Sequence, residues 1–183
     1  EELTSYAATI QMVRHAGNRT TAIAFDLEFI PPDRMHIVYT EPSAVKGQTL
    51  ILNGDQAYTY LPSLNRRAWQ TASSQGSDQG EEMGFLYDYI LREAGSFFAA
   101  HPDSVVGDTR TLQLAGSGET VSVVGLTVDT DSGKQVIWVN EEDFVPVVVD
   151  IYDGDALYIE VHVRSYAINE PLDDALFAIP SKD

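Results

Sequence analysis

The chain has 183 residues, of which 44% are hydrophobic and 21% charged, with no cysteine and a formal net charge of −17. That composition fits an ordinary globular domain and excludes disulfides, thiolate metal sites and cysteine nucleophiles. The charge opposes binding to nucleic acid and to anionic membrane surfaces, which carry the same sign. No apolar run approaches the ~20 residues that span a bilayer as a helix.

From the first residue onward the pattern is strand-like. EELTSY has neither the basic nor the apolar region of an export signal. SYAATIQMV then alternates with Tyr6, Ala8, Ile10 and Met12 on one face, and HAGNRT turns the chain, with Gly17 and Asn18 suited to positive φ. TAIAFDLEF puts Ile23, Phe25, Leu27 and Phe29 on a dry face and Ala22, Ala24, Asp26 and Glu28 on a wet one. PPDRMHIVYTEP reads as a third strand bounded by prolines, carrying Met35 and Ile37. QTLILN and QAYTYL flank Gly54-Asp55 as a fourth and fifth.

The segment after residue 78 changes period. Met83, Leu86, Tyr87, Ile90, Leu91 and Ala94 recur at helical spacing, Asp78 with Glu81 forms a capping box, and Gly95 supplies a stop. A helix over about 79–95 is predicted, with Phe85, Tyr89, Phe97 and Phe98 widening its apolar surface. Strands resume at 109–115, 120–129, 134–141, 145–153 and 156–168, punctuated by Ser-Gly and Asp-Gly turns. Roughly ten or eleven strands exceed what a flat open sheet holds without curling. No linker divides the chain, so one domain over residues 1–183 is expected, with strands at 5–71 and 109–180 around the helix. A curled sheet lidded by one helix either closes on itself or leaves an apolar cavity, with Trp138 a further candidate for its wall.

The residues argue weakly for catalysis. His15, His36, His101 and His162 lack metal-ligand spacing, no nucleophile elbow or phosphate-binding loop occurs, and LAGSGET is a turn. Asp129 and Asp131 with Gly133 read better as a hairpin than as a calcium loop. Metal and cofactor are therefore expected to be absent, and the chain is not expected to be an enzyme. A hydrolase with paired carboxylates would need two acids that converge only in space, one with a raised pKa.

Several loose motifs then fall into a familiar order. FDLEFIPPDRMHIVYTEP is followed by LILNGDQAYTYLPSLNRRAW with Asn53-Gly54-Asp55, Tyr58, Tyr60, Pro62 and Trp69, then by the apolar helix, and finally by Leu172-Asp173-Asp174-Ala175-Leu176-Phe177. This order resembles the LolA/LolB-like family of lipoprotein carriers and related periplasmic lipid-binding domains. The resemblance covers nearly the whole chain, although the family's usual first helix has no counterpart before SYAATIQMV. It implies a mainly β fold: a strongly curved, incomplete antiparallel barrel of about eleven strands, with lid helices, enclosing a hydrophobic cavity. It further implies a monomeric, exported, extracytoplasmic binder of lipid or lipoprotein acyl chains, working with a membrane-associated donor or acceptor protein. The expected cavity wall is Ile23, Phe25, Leu27, Phe29, Met35, Ile37 and Trp138, and the expected lid surface is Phe85, Leu86, Tyr89 and Ile90. Arg34, Arg66 and Arg67 are expected at the lid or rim. The alternative is an envelope sensor or assembly module of the same fold that grips a protein partner.

Overall fold

The computed structural model describes residues 3–71, 105–130 and 133–182. Eleven strands form one antiparallel sheet: β1 (Tyr6–Ala16), β2 (Arg19–Ile30), β3 (Arg34–Glu41), β4 (Thr49–Asn53), β5 (Gln56–Leu61), β6 (Arg66–Thr71), β7 (Val105–Gln113), β8 (Thr120–Thr130), β9 (Gly133–Asn140), β10 (Pro146–Asp153) and β11 (Ala156–Ile168). Among the described residues the order is β6-β5-β4-β3-β2-β1-β11-β10-β9-β8-β7, an open sheet with β6 and β7 at its edges. This is the open, curled-sheet class of an incomplete antiparallel barrel. Among the described residues the helical pieces are two 3-10 turns, Pro62–Leu64 and Asp174–Phe177. The helix expected at 79–95 lies outside the described residues.

Two details differ from simple alternation. Period two puts Ala24 on the wet face, yet it is buried beside Phe25. The pairing with β3 slips between these two residues, and a bulge turns consecutive side chains to the interior. The other difference is β6, which alternation does not reveal because RRAWQT is polar and half-exposed, as an edge strand is. The short turns follow their glycines: Gly17, Gly54 and Gly154 all sit near φ +60.

The chain divides into two compact units. The first gathers the described residues within Glu1–Ile10, Ile23–Gly80 and Tyr166–Asp183; the second gathers those within Gln11–Ala22 and Glu81–Ser165. In the first unit, cross-strand register sorts the side chains into two faces. One carries the rows Phe25–Tyr39, Leu27–Ile37–Leu50 and Phe29–Met35–Leu52. The other carries Glu28–His36–Ile51–Tyr58–Trp69, with Arg34–Asn53–Gln56 and Tyr60–Arg67 beside it. In the second unit the rows Leu126–Ile137–Val149–Val161 and Val128–Gln135–Ile151–Ile159 share one face. Gly125–Trp138–Val148–His162 and Thr127–Val136–Asp150–Glu160 share the opposite one.

Candidate functional site

The apolar face of the first unit brings together five of the expected wall residues. Phe25 and Ile37 are fully buried, and Leu27, Phe29 and Met35 are at most 5% exposed. Alternation at period two places them: each strand sends every second side chain to this side, and the registers align them into rows. Ile23 stands beyond the Ala24/Phe25 bulge and is only half-buried. Trp138 belongs to the second unit, on the face opposite Ile137, Val149 and Val161. Phe85, Leu86, Tyr89 and Ile90 lie outside the described residues.

The candidate rim arginines take other places. Arg34 is on the face opposite Met35, where its Nη1 meets Asp174 Oδ1 at 2.7 Å and its guanidinium lies 5.5 Å from the centroid of the Phe177 ring. Arg67 stacks over Tyr60 at 5.8 Å. Arg66 is exposed at the start of β6, opposite Leu61. The Arg34 contact belongs to a larger arrangement that sequence reasoning missed: the segment Asp173–Pro180 is strapped across the second face of the first unit. Asn53 Nδ2 donates to the Phe177 carbonyl at 3.0 Å and Trp69 Nε1 donates to the Pro180 carbonyl at 2.8 Å. Asp173 caps the 3-10 turn by accepting from the Ala175 amide, and Phe177 is 1% exposed. Tyr58 and Trp69 complete the bed, with ring centroids 5.4 Å apart. The signal for this strap was in the sequence as the closing Leu172–Phe177 motif, but nothing there said which side chains receive it.

The second unit carries its own polar cluster, also unforeseen. Glu160 accepts at Oε1 from His15 Nε2 (2.7 Å) and faces His162 Nε2 at Oε2 (3.3 Å). Its cross-strand partner is Asp150. Burial pushes Asp150 above the ordinary carboxylate pKa, and the Glu160 charge adds to the rise. His162, the Trp138 indole and Arg110 pull it the other way. The indole N–H is buried and directed toward this carboxyl without closing a hydrogen bond of standard geometry. For Glu160, burial alone would raise the pKa, but the hydrogen bonds and charge of His15 and His162 overcome it and the net shift is downward. Trp138 itself is sandwiched, with Arg110 at 3.5 Å from the ring centroid and Gly125 beneath it. Asp150 and Glu160 thus form an acid pair with pKa values pushed apart, the pattern a hydrolase would need. Each Glu160 oxygen already faces one imidazole. Among the described residues no group of three or more His, Asp or Glu side chains could hold a metal ion.

Taken as a class, the described residues form an open antiparallel sheet with a buried apolar face in each of its two units. Comparison with solved structures places the fold more closely. An uncharacterized conserved protein from Thermus thermophilus matches over 98% of this chain and 87% of its own, at 11% identity and a TM-score of 0.61. The MucA/MucB complex of Pseudomonas aeruginosa contains a chain matched over 95% of this one, at 12% identity and a TM-score of 0.56; the present chain spans 55% of it. A LolA superfamily protein from Nitrosomonas europaea aligns over 98% of this chain and 92% of its own, at 14% identity and a TM-score of 0.45. No family model matches the sequence, and no curated protein matches it.

Proposed function

We propose that the chain is a non-enzymatic, extracytoplasmic binder of lipid or lipoprotein acyl chains. The observation that carries this reading is the apolar face of β2, β3 and β4. Phe25, Leu27, Phe29, Met35, Ile37 and Leu50 form adjoining rows with no charged side chain among them and are shielded from water. An acyl chain gains roughly 0.8 kcal/mol for each methylene moved into such surroundings, before ordering costs. The opposite face is covered by residues 173–180, so an acyl chain would enter along the Phe25–Ile37 face by displacing what already buries it. Ile23 would extend this wall and Phe85, Leu86, Tyr89 and Ile90 would be its lid, whereas Arg34 and Arg67 stand on the opposite face and Trp138 in the second unit.

Native mass spectrometry of the purified protein, followed by organic extraction, tests this. Lipid at near-stoichiometric amount is expected, together with saturable binding of a fluorescent C16 fatty acid. A Met35→Trp variant that stays folded by circular dichroism is expected to bind the probe about tenfold more weakly, because it fills the space. Absence of both extracted lipid and saturable binding overturns the reading.

A second reading is favoured by the match to MucA/MucB, where a chain of this fold is seen in complex with a protein. In that case the same sheet grips a protein partner, and a pull-down returns one protein in stoichiometric amount and no lipid.

A further inference from the structure

The β1–β2 hairpin projects its tip, Arg14 to Ala22, almost wholly into solvent, and this arm belongs to the second unit. The described side-chain contacts that tie it to β11 are few. His15 reaches Glu160, and Arg14 reaches the Tyr158 hydroxyl while lying 5.1 Å over that ring. Thr20 braces the other ring nitrogen of His15 at 3.4 Å. On the body side, Glu160 is shared with His162 and faces Asp150 on β10. Among the other cations of this unit, Arg110 is stacked on Trp138, Lys134 lies over Tyr152, and Arg164 follows His162 at the same parity on β11.

We propose that Glu160, bracketed by His15 and His162, is a pH-sensitive clasp that holds the hairpin arm tightly in mild acid and loosens it in mild base. An ionised carboxylate is an acceptor only, so in the neutral state each imidazole must offer its Nε2 proton to Glu160. With both imidazoles neutral, the cluster holds two facing carboxylates, Asp150 and Glu160, and no histidine charge. With both imidazoles protonated, the bonds to Glu160 become charge-assisted, roughly twice as strong as neutral ones. A bond that strengthens when the imidazole is protonated holds the arm more tightly in acid than in base. Asp150 works in the same direction, since its ionisation on raising pH places a second negative charge opposite Glu160. Glu160 itself, held below its ordinary value, keeps its charge through this range. His15 and His162 are 31% and 40% exposed, so protons reach them directly. The clasp does not depend on the lipid reading and would operate under either proposed function.

Hydrogen–deuterium exchange of the intact protein, corrected for the intrinsic pH dependence of exchange, tests it. Protection of amides in residues 14–22 is expected to rise about three- to tenfold from pH ~8 to pH ~5.5, while protection in β9 stays level. In Glu160→Gln the pH-dependent rise disappears. His15→Gln, at a partly exposed position that leaves β11 and β10 untouched, loses it as well and guards against a Glu160 variant that fails to fold. A wild-type profile that is flat with pH, or a rise that persists unchanged in His15→Gln, overturns the proposal.

Discussion

Gly125 has no side chain, and the Trp138 ring lies directly on it: a Cβ built there would stand 3.0 Å from the ring carbons. Gly125→Ala must lift the indole by a few tenths of an ångström and disturb the Arg110 stack above it, which is expected to cost about 1–3 kcal/mol and to shift the tryptophan emission; chemical denaturation followed by fluorescence checks both. Phe177 makes the complementary case, a large side chain that fills its site. Phe177→Ala is expected to lose about 3–5 kcal/mol of stability, measured by urea unfolding. The carboxylates differ from each other in sign. Because Asp150 is raised from 3.8, it favours folding in acid, and this contribution is lost as pH climbs from about 4 through its higher folded value. Asp150→Asn is therefore expected to flatten the stability–pH curve on that rise. Glu160, lowered from 4.5, contributes above about that pH and loses its contribution as pH falls further. Glu160→Gln is expected to remove the acid-side fall, and the pH dependence of the urea midpoint reads both variants.

At the scale of elements, the strands were legible because a half-buried strand writes its burial into every second residue. Phe25, Leu27, Phe29, Met35 and Ile37 could be gathered from the sequence for that reason. What alternation does not contain is the partner across the ladder. Trp138 shares its parity with Val136 and Lys134 rather than with Ile137, and only the register with Gly125 and Val148 shows which neighbours it meets. The Ala24/Phe25 bulge was invisible for a related reason: one extra residue changes the phase without changing the composition. The histidine bracket on Glu160 joins residues 145 positions apart, and the strap joins Arg34 to Asp174 across 140. Such pairs are set by which strands become neighbours. The strap gives a testable element-level consequence. Trp69→Phe keeps the ring contact with Tyr58 and deletes the donor to the Pro180 carbonyl, so it is expected to cost about 1 kcal/mol in a thermal or urea melt.

For the molecule as a whole, a net charge of −17 with only 11 lysines and arginines governs encounters more than it governs fold. Within a Debye length of about 8 Å at physiological salt, an anionic bilayer repels such a surface. Vesicle flotation is expected to show no association with anionic vesicles at that ionic strength, whether or not an acyl chain is bound.

The interleaving of the two units also has a consequence in time. The second unit draws on the described residues within 11–22 and 81–165, whereas the first draws on those within 1–10, 23–80 and 166–183. Thr4 N donates to Asn169 Oδ1 at 2.7 Å and Ser5 Oγ to the Glu170 carbonyl at 2.6 Å, so the residues just before β1 are joined to those just after β11. A chain delivered amino end first, from a ribosome or through a pore, can assemble the second unit while the Phe177 site stands unfilled. The Phe177 site can be filled only after residue 177 has emerged, and until then Tyr58 and Trp69 stay open to whatever meets the emerging chain.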